Sequence, residues 1–192
     1  MCMVIHMTSR NAASTRQRIL EQAQRQFAQH GYAAITVKGV ADAAGVSPNL
    51  ITRYFGGKEG LFLAATRVEI PVTTSLDGDL STLGARLAAG IVERWFGAPG
   101  KDPLLILQRA SGERPEAAEA LAAFLDTHSL DPLHGYLRDS GLDDADARNR
   151  AAAIDAFVLG VSTRRRVLRS ELGDPADLQA WLSATIQRLA DG

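Results

Sequence analysis

Cysteine is almost absent from this sequence. Cys2 stands alone among 192 residues, which excludes a disulfide framework and a multi-cysteine metal site. Such a chain suits a reducing compartment. No apolar stretch reaches the ~18 residues that a membrane span needs, so no membrane partner is expected. Met1 to Met7 lack the basic start, long apolar segment and small-residue cleavage site of a signal peptide, and Met7 serves equally well as a start. These absences lead us to expect a cytoplasmic protein. Alternating β-branched runs are also missing, so no sheet is expected. The composition, 46% apolar and 22% charged, is that of a soluble globular protein and excludes disorder along the whole chain.

Neither sign of charge dominates, but the balance is uneven along the chain. Residues 1–70 carry eight Lys/Arg against four Asp/Glu, and residues 71–192 carry thirteen against eighteen. A basic first part suggests contact with a polyanion. A solvated surface explains it equally well. A purely architectural DNA binder would need a more basic chain.

Catalytic patterns are missing too. His128 and His134, with Asp126 and Asp131 nearby, are six residues apart, wrong for one helix face, and Pro132 intervenes. Gly97-Ala98-Pro99-Gly100-Lys101 lacks the spacing of a phosphate loop and no strand precedes it. Gly160-Val161-Ser162 lacks the second glycine of a nucleophile elbow. No enzyme, metal or cofactor is expected.

What is present is helical spacing, bracketed by cap residues. Ser14 or Thr15 can cap a first helix that ends near His30, with Ile19, Ala23 and Phe27 inward and Gly31 at the left-handed terminus. Thr36 caps a short helix through Ala44. Gly45-Val46 turns the chain. Ser47 caps a third helix, to about Tyr54, with Pro48 in its first position. Gly56-Gly57 breaks it, and Lys58 opens a fourth helix. A polar stretch from Pro71 to Gly78 suggests a boundary. Further helices are predicted over Asp79–Phe96, Pro103–Ala110, Pro115–Asp139 with a kink or split at Pro132, Asp143–Arg169, and from Pro175 to the end.

Val37 to Tyr54 has the shape of a helix-turn-helix, with Gly45 as the small residue at the steep turn. Ser47, Asn49, Thr52 and Arg53 lie on the polar front that such a motif offers to base edges. Leu50, Ile51 and Phe55 lie behind. Arg10, Arg16 and Arg18 form a basic stretch that could touch backbone phosphate or minor groove. A two-helix pattern alone also fits any small bundle. The particular residues narrow it. Ile35-Thr36-Val37, Val40-Ala41, Ala44-Gly45-Val46-Ser47 and Tyr54-Phe55-Gly56-Gly57-Lys58-Glu59-Gly60-Leu61-Phe62, preceded by Arg18-Ile19-Leu20, Ala23 to Phe27, Gly31 and Tyr32, resemble the DNA-binding domain of the TetR family of bacterial transcriptional regulators. The resemblance covers about residues 14–65.

It implies an all-α chain, with residues 1–13 as a flexible arm, 14–60 as a three-helix helix-turn-helix DNA-binding domain, and 61–192 as a larger C-terminal helical domain for ligand binding and dimerisation. The DNA-binding positions it implies are Thr36, Lys38, Ser47, Pro48, Asn49, Thr52, Arg53, Tyr54 and Lys58, with Thr36 and Lys58 on phosphates. The chain departs from the family pattern at Thr52, where many members carry a phosphate-binding tyrosine, and at Gly56-Gly57, where a Pro-Ser type pair is more usual. The implied partners are a double-stranded DNA operator in inverted repeat, a second copy of the chain, and an unknown small-molecule effector. The implied function is that of a homodimeric repressor released by a hydrophobic or amphipathic ligand. The same fold could serve an activator, a ligand-independent regulator, or a helical ligand-binding protein without DNA affinity.

In the C-terminal part, candidate pocket residues are Trp95, Phe96, Leu107, Arg109, Phe124, His128, Tyr136 and Phe157, with Arg109 or His128 available to an anionic group. Candidate dimer residues on the last two long helices are Ile154, Val158, Val161, Arg165, Leu168, Leu178, Trp181, Leu182 and Ile186. An internal core accounts for the same apolar spacing. Arg164-Arg165-Arg166 and Arg169 read as a solvated helix end, favoured by the helix dipole.

Overall fold

A computed structural model describes residues 3–67, 75–97 and 102–192, with side chains from residue 12 onward. Cys2, Arg10's side chain, Pro71–Thr74 of the polar stretch, and the Ala98–Lys101 part of the glycine-proline loop lie outside the described residues. Every long regular element among the described residues is a helix, and none is a strand. The chain divides into two compact units, Met1–Val68 with Pro99–Ala110, and Glu69–Ala98 with Ser111–Gly192.

The first unit holds α1 (Met3–His30), α2 (Val37–Ala44), α3 (Pro48–Phe55), α4 (Lys58–Ala65) and α6 (Pro103–Ala110), with α5 falling in the second unit. Two boundaries differ from expectation. α1 runs through Ser14 and Thr15, which therefore do not cap it, and it takes in residues expected as a flexible arm. The unit also extends past residue 60, to include all of α4 and then α6. Its core is built on Ile19, Ala23 and Phe27 of α1, Val40 and Ala41 of α2, Ile51 of α3, and Leu61 and Phe62 of α4, all buried. The four-residue spacing along α1 puts Ile19, Ala23 and Phe27 on one stripe.

The caps of α2 and α3 form as the sequence predicts. Thr36 accepts a hydrogen bond from the Gly39 N–H at 3.0 Å, and the Ser47 hydroxyl accepts from the Asn49 N–H at 3.4 Å. Gly45 has φ +64°, and the turn closes with the Val46 N–H on the Ala41 carbonyl at 3.0 Å. Only glycine takes that backbone conformation without strain.

The second unit holds α5 (Leu83–Phe96), α7 (Pro115–Leu125), α8 (Asp131–Asp139), α9 (Asp144–Ser162) and α10 (Pro175–Asp191). Leu83, Leu137, Ala151, Ile154, Leu178, Leu182 and Ile186 form its centre. α5 and α10 approach closely at Gly84, where a Cβ would lie 2.3 Å from the Ser183 carbonyl oxygen. Gln187 of α10 accepts from the Gly84 N–H and donates to the Leu80 carbonyl. Pro132 acts as expected, through the backbone turn before it. Residues Asp126–Leu130 form one wide turn between α7 and α8, with the Asp131 N–H bonded to the Asp126 carbonyl. Proline has no N–H to continue the ordinary ladder, and a widened turn absorbs the loss. A second wide turn, Thr163–Val167, follows α9. The chain then leaves the helix at Arg169, with φ +57°.

Candidate nucleic-acid interface

α3 is held from behind and open in front. Ile51 and Phe55, four apart, are buried, and Leu50 is half-buried. Ser47, Pro48, Asn49, Thr52 and Arg53 are all exposed. Asn49, Thr52 and Arg53 follow the three-four spacing of one helix face. A short helix anchored at two core positions presents those groups on a rigid support. Tyr54 is half-buried, its ring edge-on to Phe55 with centroids 6.5 Å apart. The Arg16 guanidinium of α1 lies over the Phe55 ring at 4.9 Å. Arg18 is exposed on the same helix, as are Thr36 and Lys38 at the start of α2.

The α3–α4 junction depends on three glycines. Gly56 has φ +77° and donates its N–H to the Thr52 carbonyl at 2.9 Å, and Gly57 has φ +116°. Gly60 has a different reason. A Cβ there would lie 1.7 Å from the Phe55 carbonyl oxygen. The sequence signal for it was a glycine inside a helical pattern, and its structural role was missed. No side chain caps α4, so the first-turn N–H groups beside Lys58 are available to an anion. Lys58 is half-buried and donates to the Ala33 carbonyl at 3.3 Å.

This geometry matches what known proteins show. The family described as "Bacterial regulatory proteins, tetR family" matches residues 19–65, and "Tetracyclin repressor-like, C-terminal domain" matches residues 81–189. The chain belongs to the TetR family. TetR-family proteins are transcriptional regulators, not enzymes; they bind DNA operators and act as dimers. The HTH-type transcriptional repressor AcnR of Corynebacterium glutamicum is 50% identical over 54 residues, covering 28% of this chain and 29% of that protein. The HTH-type transcriptional regulator BetI of Brucella anthropi is 44% identical over 52 residues, 27% of each. The matched region thus spans under a third of these relatives' length. Over the whole chain the likeness is one of fold. NalD, the secondary repressor of the MexAB-OprM multidrug efflux pump in Pseudomonas aeruginosa, superposes with a TM-score of 0.70 at 24% identity, covering 93% of this chain and 96% of that one. The TetR-family regulator SCO4454 of Streptomyces coelicolor gives 0.74 at 20% identity, covering 93% and 95%.

The candidate pocket residues are divided between the two units. Leu107 and Arg109 sit on α6 in the first unit, Leu107 buried and Arg109 donating to the Gln29 carbonyl at 3.2 Å. The others are in the second unit, where Trp95, Tyr136 and Phe157 pack partly against one core. Phe124 and His128 stack with centroids 4.6 Å apart. Tyr136 donates to the Gly78 carbonyl at 2.7 Å and accepts from Arg86. Arg166 lies over Trp95 at 6.0 Å and Arg165 over the exposed Phe96 at 4.3 Å. Two of the clustered arginines therefore rest on aromatic rings, against the solvated-end expectation, while Arg164 and Arg169 are exposed. Among the described residues no three His, Cys, Asp or Glu side chains gather as metal ligands, and no helix is long and apolar enough to cross a membrane.

Most candidate dimer residues turn inward. Ile154, Val161, Leu178, Leu182 and Ile186 are buried in the second unit's own core, and Val158 packs partly against it. Their spacing marks the internal stripe, the alternative that the sequence left open. Leu168 and Trp181 do face outward, 66% and 45% exposed. Trp181 meets Phe157 edge-on at 5.3 Å. The outward face of α9 carries Ala152, Ala153, Ala156 and Gly160 instead.

Proposed function

We propose that this protein is a homodimeric repressor that reads an inverted-repeat operator with α3 and is released by a small hydrophobic or amphipathic ligand. The observation that carries the reading is the front of α3: five exposed residues, Ser47 to Arg53, on a helix whose other face is buried through Ile51 and Phe55. Asn49 and Arg53 are the base-reading groups, because their side chains reach bidentately to adenine and guanine edges. Thr52 is shorter and meets a base or a thymine methyl. Thr36, Lys38 and Lys58 take phosphates, which position the protein without reading sequence. Pro48 and Tyr54 flank the contact.

One copy would be half a reader, since successive major grooves on one DNA face lie about 34 Å apart. Dimerisation is supported by α9. Ala151 to Val161 includes one charged residue, Asp155, and is apolar on every face. Such a helix stabilises the protein fully only when covered all round. Its inner face is covered by the core, and a second copy would cover Ala152, Ala153, Ala156 and Gly160, with Trp181 and Leu168 alongside. Effector binding is supported by the second unit's aromatics and by the Trp95 indole N–H, which is buried without an acceptor among the described residues. A ligand carrying an acceptor oxygen would satisfy it. Release follows if the ligand favours an arrangement in which the two reading helices no longer match the half-site spacing. The site of action is the cytoplasm.

The test is selection of genomic DNA fragments by the purified protein at about physiological salt, followed by sequencing. An inverted repeat is expected. Recovery of no motif by ligand-free protein would overturn the reading.

A further inference from the structure

We propose that Tyr32 is a positioning residue for DNA binding. Its ring holds the Lys58 ammonium ready for a backbone phosphate, and its hydroxyl holds the neighbouring Glu59 carboxylate aside. The proposal rests on the DNA-binding function argued above and assigns a task to a residue outside the expected contact set.

Tyr32 follows Gly31, whose φ of +75° turns the chain out of α1. Its ring stacks on Phe27, with centroids 6.0 Å apart and planes 7° from parallel, and stands edge-on to Phe62 at 5.0 Å. Phe27 and Phe62 are both buried. Phe62 lies one turn beyond Lys58 on α4, so the tyrosine ring is fixed to the helix that carries the lysine. The Lys58 ammonium sits 4.2 Å from the Tyr32 ring centre and donates to the Ala33 carbonyl. An ammonium has three donors. One is used by Ala33, another can face the ring that attracts the charge, and at least one donor remains for a phosphate oxygen. A lysine stem free in solution loses much rotamer freedom when it binds; one already held loses less.

Glu59 is the second half of the argument. A carboxylate next to Lys58, in the first turn of α4, would neutralise the ammonium and repel a phosphate at the uncapped helix start. The Tyr32 hydroxyl donates to the Glu59 carboxylate at 2.8 Å, while the Lys58 ammonium is placed on the Tyr32 ring and the Ala33 carbonyl. The tyrosine thus separates two adjacent opposite charges and leaves the cation available.

The experiment measures binding of a fluorescent mixed-sequence duplex across a salt series, with thermal unfolding as the check on folding. Lys58→Ala should make the slope of log affinity on log salt less steep by about 0.9 for each copy bound. Tyr32→Leu should move the slope the same way and weaken binding about two- to fivefold. In a Lys58→Ala background that also carries Glu59→Gln, Tyr32→Leu should cost nothing more. An equal loss in that background overturns the positioning role. Tyr32→Phe keeps the ring but releases the Glu59 carboxylate toward Lys58, so it should also make the slope less steep and weaken binding, and adding Glu59→Gln should restore both. Unchanged binding by Tyr32→Phe, or no restoration, overturns the hydroxyl's part; this pair stands alone should Tyr32→Leu not fold. Failure of the unmodified protein to bind any duplex would instead overturn the DNA-binding reading.

Discussion

A methyl group has no room at position 60. Its Cβ would overlap the Phe55 carbonyl, and a backbone atom cannot rotate away. Gly60→Ala should lower stability by about 1–3 kcal/mol, measured by urea unfolding; an unchanged midpoint would show that the α3–α4 junction relaxes freely. The residues of the reading surface should separate by role. Lys58→Ala is expected to weaken binding to all sequences alike, whereas Asn49→Ala and Arg53→Ala should each relax base discrimination, by about 1–3 kcal/mol at one position. The check is competition between operator and scrambled duplexes, and equal loss of discrimination from all three would remove that division. The exposed front of α3 was legible because caps, proline and core spacing all point to one helix phase. Gly60 and Tyr32 were not, because their roles depend on atoms of other elements: the end of α3 for Gly60, and α4 for Tyr32.

Among the elements, the α7–α8 junction shows what a single proline does. Its wide turn brings Ser129 within 2.6 Å of Asp155 on α9, with the hydroxyl donating to the carboxylate. Burial pushes the Asp155 carboxyl above its ordinary range; the Ser129 hydrogen bond opposes this and the Asp126 charge adds to it. The folded state therefore holds this proton more tightly than the unfolded chain does. The group's contribution to stability is present below its ordinary pKa and is lost as pH rises through the folded value. Asp155→Asn keeps an acceptor for Ser129 and removes the charge. It should stabilise the fold near neutral pH and change little near pH ~3, by thermal unfolding at both; a loss at neutral pH would show that the carboxylate is needed ionised. The wide turn itself was legible in Pro132. The start of α1 was not: Ser14 and Thr15 are good caps, but a cap residue acts as one only where the helix in fact begins.

At the scale of the molecule, α9 decides what the second unit needs. Ala156→Glu places a charge on its outward apolar face and should shift the protein from dimer to monomer by sedimentation, with helical content unchanged. A dimer that persists would move the interface elsewhere. The two units also part at other places than the chain's composition suggests. α6 belongs with the DNA-binding helices, so Leu107 and Arg109 lie in the first unit, while Trp95, Phe96, Phe124, His128, Tyr136 and Phe157 lie in the second.

The helices of the helix-turn-helix, their caps and the turn between them were determined by the sequence alone, because each depends on residues within a few positions of one another. Thr36, Ser47 and Gly45 act locally and could be read locally. Tertiary structure alone decided which face of an apolar helix is inside. Ala151 to Val161 is apolar all round, so periodicity cannot choose between Ile154 and Ala156 as the buried side. The choice came from what α8 and α10 cover. The same holds for Lys58, whose charge is plain in the sequence and whose setting, on a ring twenty-six residues earlier, exists only in the folded chain.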